Sequence, residues 1–136
     1  AYLAPFDVRL FETSLDAPED VDCVLQPDLT VVCSPDKVDN RGVHGAPDMV
    51  VEILSPSTAQ YDKLWKFNLY QKAGVREYWI VDAKDRMVSV FTLADGQYYA
   101  AAYGPDASVP VSVLEGCLID MSAVFPEPET QEPEAE

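Results

Sequence analysis

Histidine is almost missing from this 136-residue chain, and basic residues are few: one His, and nine Lys and Arg against 24 Asp and Glu. A formal charge of -15 leaves no broad cationic surface for sequence-independent binding of a polyanion. The three cysteines, Cys23, Cys33 and Cys117, are odd in number and show no CxxC spacing, which excludes a disulfide framework or a cysteine-rich zinc site. Their apolar surroundings predict reduced, buried thiols in a cytoplasmic protein. No apolar run approaches the ~20 residues of a membrane span, and no basic-then-apolar leader opens the chain. Only six glycines are present, and none forms the phosphate-cradling loop that a nucleotide phosphohydrolase would need.

What remains is an apolar, acidic chain of one-domain size, with 48% hydrophobic residues. Residues 126–136 hold three prolines and five glutamates, too little apolar surface to offset the entropy of ordering, and are expected to form a disordered acidic tail behind a domain at 1–125. Removing those five acids leaves 19 acids against nine bases, a net -10 for the domain. Six of the nine bases, Lys63, Lys66, Lys72, Arg76, Lys84 and Arg86, fall in one 24-residue stretch that contains only Glu77, Asp82 and Asp85 as acids. A nucleic acid would bind there; a solvated helix face explains the same stretch equally well.

Short apolar pieces at Val8 to Leu10 and Val21 to Val24 flank an acidic, proline-bearing turn and read as strands. Asp28 to Cys33 and Pro47 to Leu54 form two further strands, joined by a loop of about a dozen residues that makes them an antiparallel pair. Ser57 or Thr58 can cap a helix, with Gln60 completing a capping box after Ser57. Tyr61, Leu64, Trp65, Leu69 and Tyr70 recur at helical spacing, and Gly74 stops the helix. Glu77 to Asp82, Met87 to Leu93 and Gln97 to Ala102 read as three more strands, the last two joined at Asp95-Gly96. The strand, helix, strand passage over 48–82 is long enough for a right-handed crossover, so the strand of Ile80 should run parallel to that of Val50.

Three acids occupy strands that are otherwise apolar: Asp28 after Pro27, Asp48 after Pro47, and Glu52. Alternation places Asp48, Val50, Glu52 and Leu54 on one face and Met49, Val51 and Ile53 on the other. A carboxylate among hydrophobes pairs with a cation, is protonated, or binds a metal, and a lone arginine would satisfy Glu52 alone. Asp28 on the adjacent strand adds a second oxygen donor, as a hard cation such as Mg²⁺ requires. The helix that follows presents Lys63 and Lys66 one turn apart, with Asp62 four residues before Lys66. A lysine beside a hydrated metal stabilises charge that builds on a phosphorane-like transition state.

The runs Gln26-Pro-Asp28-Leu, Gly45-Ala-Pro-Asp48-Met-Val-Val-Glu52-Ile-Leu-Ser-Pro-Ser-Thr58, Tyr61-Asp62 with Lys66 and Tyr70, and Ala73-Gly-Val-Arg-Glu-Tyr-Trp-Ile-Val-Asp82 together resemble the Uma-two family. Its members are described as restriction endonucleases and belong to the PD-(D/E)xK superfamily. The likeness covers about residues 5–125. It implies an α/β (α+β) restriction endonuclease-like core, a mixed β-sheet with a central helix. It further implies a Mg²⁺- or Mn²⁺-dependent endonuclease acting on DNA, with Asp28 and Glu52 on the metal and Lys66 as the catalytic lysine. The usual lysine position, two residues after the second acid, is Leu54 here, and Lys66 on the helix replaces it, with Lys63 second in line. Asp48, in the second Pro-Asp pair, either joins the catalytic acids or sets the start of its strand.

Lys63 and Lys72 are candidate nucleic-acid contacts. His44 falls in a loop at Gly42 to Gly45 and is read there as a flexible-loop residue rather than a group near the scissile phosphate. A homodimer is expected, with Tyr98, Tyr99 and Tyr103 as candidate contacts, at least one of them going to the core instead. Family members carry several dozen residues before the position of Ala1, including a helix with an acid and a first strand. That shortening, with the acidic domain, leaves a second expectation: an inactive nuclease-like domain acting through protein partners.

Overall fold

The computed structural model describes residues 2–3, 7–10, 24–39, 42–54 and 59–124. Along the chain the strands are β1 (Tyr2–Leu3), β2 (Val8–Arg9), β3 (Val24–Leu25) and β4 (Leu29–Val31). A 3₁₀ turn (Pro35–Lys37) leads into β5 (Val38–Asp39), β6 (Gly42–His44) and β7 (Met49–Ile53). Helix α1 (Ala59–Ala73) is followed by β8 (Glu77–Asp82), β9 (Met87–Ala94), β10 (Gln97–Tyr103), β11 (Ser108–Pro110), β12 (Leu118–Asp120) and the single turn α2 (Met121–Val124).

Six strands form one mixed sheet in the order β1-β4-β7-β8-β9-β10. Strands β4 and β7 are antiparallel, with Leu29 opposite Val51. Helix α1 carries the chain across to β8, which runs parallel to β7 with Glu52 opposite Ile80, as the crossover rule requires. Strands β8, β9 and β10 then meander antiparallel. Asp95 and Gly96 both take positive φ, 53° and 79°, the left-handed pair that a two-residue hairpin turn needs.

Alternation along β7 and β8 divides the core in two. Val50, Tyr78 and Ile80 face α1 and pack with Tyr70 and Val75 and with Val8, Leu25 and Val43 of a small sheet ordered β3-β2-β6-β5. Met49, Val51 and Trp79 face the other way, onto Val109, Val111 and Met121 of the β11–β12 hairpin and α2. The helix ends as its glycine predicts: Gly74 has φ +92°, the Val75 N–H donates to the Tyr70 carbonyl at 3.1 Å and the Gly74 N–H to the Gln71 carbonyl at 3.2 Å. Its expected caps, Ser57 and Thr58, lie outside the described residues, as do Val21 to Cys23 and the acidic tail.

Three expectations change. The segment between β4 and β7 is not a plain loop, because it contains the 3₁₀ turn and the pair β5–β6. Gly42 makes that possible: at φ +111°, a Cβ there would collide with the Asp7 carbonyl, to which the Val43 N–H donates at 2.9 Å. His44 consequently closes a strand, half-buried, instead of riding a flexible loop. Cys33 is exposed where the chain leaves β4 and Cys117 is half-buried, so neither is the buried thiol anticipated; Cys23 lies outside the described residues.

Candidate active site

Glu52 is the fourth residue of a five-residue strand in which Met49, Val50 and Val51 are buried and Ile53 is exposed, and alternation turns it toward α1. There it meets two side chains one helical turn apart. The Tyr70 hydroxyl donates to Glu52 Oε2 at 2.7 Å, and the Lys66 ammonium lies 3.3 Å from the same oxygen. Burial pushes the Glu52 carboxyl above the usual range, against the opposing pull of the Tyr70 hydrogen bond and the Lys66 charge, while Asp28 adds a like charge that raises it further. Burial and the Glu52 charge also hold the Tyr70 phenol far above its ordinary value, so it stays a donor.

Asp28 immediately precedes β4, and the register that pairs Leu29 with Val51 carries it opposite Glu52. Its Oδ2 accepts the Ile53 N–H at 2.7 Å. Asp28, Glu52, Lys66 and Tyr70 therefore converge from β4, β7 and α1 at one end of the β4–β7 pair. Among the described residues no group of three or more His, Cys, Asp and Glu side chains is gathered, so the oxygen donors offered here are two carboxylates.

Residues 8–122 match the family model Uma2, described as "Putative restriction endonuclease". The chain belongs to the Uma2 family. A comparison with curated proteins finds no match. Among solved structures the chain is similar to a protein from Anabaena variabilis described as a putative nuclease belonging to DUF820, at TM-score 0.66 and 23% identity. That likeness covers 91% of this chain and 66% of the other, so the chain spans just under two thirds of that protein's length. At this identity the likeness concerns the fold: the mixed six-stranded sheet with its crossover helix is restriction endonuclease-like.

Asp48 stands apart in this Uma2 domain. Four residues before Glu52 on one strand, it is about 13 Å up the sheet at ~3.3 Å per residue. Its Oδ2 accepts the Cys33 N–H at 2.6 Å, and Oδ1 accepts Arg76 Nη2 at 2.9 Å and Nε at 3.3 Å. Burial alone would raise this carboxyl, but the Cys33 hydrogen bond and the Arg76 guanidinium outweigh it and hold it below the usual range. Asp48 thus sits just before β7, bound to Cys33 and Arg76, and is not brought to Glu52. Lys72 is exposed in the last turn of α1; Lys63 lies on the same helix with its side chain outside the described residues.

Two polar residues carry more than the sequence suggested. Tyr70 reads as an apolar helix position, yet its hydroxyl holds Glu52; its place four residues after Lys66 was the available signal. Glu77 reads as one acid in a basic stretch, yet it is fully buried on the face of the sheet away from Glu52. Its two oxygens accept Trp79 Nε1 at 2.8 Å and the Val113 N–H at 3.0 Å, pinning the C-terminal segment to β8.

Proposed function

We propose that this chain forms the core of a Mg²⁺- or Mn²⁺-dependent endonuclease that hydrolyses DNA phosphodiesters. The observation that carries the reading is the convergence of Asp28, Glu52 and Lys66 on one sheet end in a Uma2 domain. Two carboxylates suit a hard cation that keeps most of its water shell, and a buried Glu52 with a second acid beside it is an environment that a divalent charge would relieve. When bound, the metal supplies Lewis acidity to the phosphate and to the attacking water.

The chain's own residues have separate tasks in this reading. Asp28 and Glu52 would hold the cation. The Tyr70 hydroxyl fixes the Glu52 carboxylate by one oxygen, which leaves the other for the metal. Lys66, half-buried at the rim of the pair, is released from Glu52 to the phosphate and offsets the negative charge that grows on its oxygens. Two copies of the chain, one per strand, would make a double-strand cut, with the uncharged β10 edge as their contact. The test is nicking of supercoiled plasmid in Mg²⁺: wild type cuts, Lys66→Ala does not, and chelation stops both.

A second reading has its own observation. Asp28 makes the same kind of backbone hydrogen bond as Asp48, a purely architectural use of a Pro-Asp pair, and the domain carries a net -10. An inactive nuclease-like domain acting through protein partners accommodates both facts. Absence of Mg²⁺-dependent cleavage of any DNA or RNA by the whole protein would favour it.

A further inference from the structure

Thr30, the middle residue of β4, is 0% exposed, and its Oγ1 finds no hydrogen-bond partner among the described residues. A buried hydroxyl without a partner is costly, and valine fills nearly the same volume without that cost, so a threonine at this place calls for an explanation.

Strand register gives Thr30 its surroundings. It lies opposite Val50, and Leu29 lies opposite Val51, so Asp28 falls opposite Glu52 and Thr30 shares the face of Val50 and Glu52. Thr30 is thus one step inward from Asp28 and on the diagonal from Glu52, a cross-strand separation of about 7–8 Å that a long side chain spans. Asp28 leans the other way, its Oδ2 on the Ile53 N–H. Glu52 is flanked differently on its two sides. Tyr70 rests on Tyr78 of β8, ring centroids 4.8 Å apart, and reaches Glu52 Oε2 from there. Thr30 belongs to β4, on the opposite side of β7 in the order β4-β7-β8. Drawing Oε2 toward β8 turns Oε1 toward β4.

We propose that Thr30 is a positioning residue of the Asp28–Glu52 pair: when Lys66 leaves Glu52, the Thr30 hydroxyl donates to Oε1 and, with Tyr70 on Oε2, fixes the carboxylate in the orientation that holds a divalent cation. This rests on the reading of Asp28 and Glu52 as metal-holding residues and deepens it by naming the group that secures the second oxygen. The change needs only rotation of the Glu52 side chain and of the hydroxyl, with no movement of the sheet. In the metal-free arrangement Lys66 and Tyr70 both hold Oε2, and the Thr30 hydroxyl is left without a partner.

Mn²⁺ binding to the whole protein is measured without nucleic acid, by loss of the free-ion electron paramagnetic resonance signal, alongside urea unfolding in EDTA. Thr30→Val removes the hydroxyl and keeps the branched shape. It should bind Mn²⁺ about tenfold more weakly, the effect of losing a group that orients a ligand. In EDTA its urea midpoint should be no lower than that of wild type, because the hydroxyl has no partner there to lose. Thr30→Ser should recover most of the Mn²⁺ affinity. A hydroxyl with a merely structural task would give the opposite pattern, a lower midpoint in EDTA with Mn²⁺ affinity kept. That pattern, equal affinity of Thr30→Val and wild type, no recovery in Thr30→Ser, or no Mn²⁺ binding by wild type would each overturn the inference. A protein that binds Mn²⁺ through Thr30 but nicks no plasmid upholds the positioning role and ends the nuclease reading; a protein that nicks in Mg²⁺ while Thr30→Val binds Mn²⁺ as wild type does the reverse.

Discussion

Asp28 and Asp48 are clamped in the same way at opposite ends of one strand pair: Asp28 Oδ2 accepts the Ile53 N–H at 2.7 Å, and Asp48 Oδ2 accepts the Cys33 N–H at 2.6 Å. Each follows a proline, starts its own strand and takes a donor from the partner strand, as an antiparallel ladder allows at both ends. The difference lies in what surrounds them. Arg76 neutralises Asp48, whereas Asp28 adds its charge to a second acid, Glu52.

The two aspartates should therefore separate in mutants. Asp48→Ala loses its charge-assisted hydrogen bonds and should lower the unfolding free energy by about 2 kcal/mol, discounted for the exposed Arg76. Asp28→Ala should cost a similar amount for its one bond and should also abolish Mg²⁺-dependent cleavage. Urea melts and plasmid nicking on both variants check this; equal loss of cleavage in Asp48→Asn, with stability kept, would place Asp48 in the chemistry after all.

Acid should unfold the protein partly through Asp48. Its carboxyl is held below 3.8 in the folded state, so its stabilisation is fully present above that value and is lost as pH falls through the folded pKa. Asp48→Asn should consequently flatten the fall in stability below about pH 4 while leaving the rest of the profile in place. Urea midpoints across that range report the slope.

Much of this site can be read from the sequence because it rests on short periods. Alternation in Met-Val-Val-Glu-Ile fixes the face of Glu52, and Gly74 fixes the end of α1 and hence the placement of Lys66 four residues before Tyr70. The inner face of α1 cannot be read in this way. Trp65, Phe67, Leu69 and Tyr70 are spread around the helix, and only packing against the sheet separates Phe67, Leu69 and Tyr70, which meet the core, from the exposed Trp65. Glu77 depends on Val113, 36 residues away, and β11 and β12, three residues each with Pro110 among them, give no run long enough to recognise.

Tyr70→Phe removes the hydroxyl that holds Glu52 and nothing else of comparable size. With only the Lys66 ammonium left on that oxygen, the lost hydrogen bond should cost about 1 kcal/mol of stability. Because the lost contact positions a proposed metal ligand, the apparent Mg²⁺ affinity in the cleavage assay should weaken about tenfold, with cleavage restored at higher metal. A variant that loses rate at saturating Mg²⁺ with unchanged metal affinity would show that Tyr70 acts on the reaction and not on the ligand.

Strand β10 closes one edge of the main sheet with no charged residue among Gln97 to Tyr103, in a chain otherwise rich in acids. Of its tyrosines, Tyr98 is spent on the core, against Phe67, Tyr78 and Phe91, with its hydroxyl donating to the Val75 carbonyl at 2.7 Å. Tyr103 packs against the opposite core cluster, and Tyr99 remains 58% exposed. Natural sheets protect such an edge with lysine, proline or a bulge, and an uncharged edge without them pairs readily with another strand. If the homodimer forms there, Tyr99→Lys should shift sedimentation from dimer to monomer at micromolar concentration while leaving the thermal unfolding of the monomer within about 0.5 kcal/mol, as for an exposed substitution. An unchanged dimer would move the contact to another surface, and a wild type that sediments as a monomer would remove the two-copy mechanism for a double-strand cut.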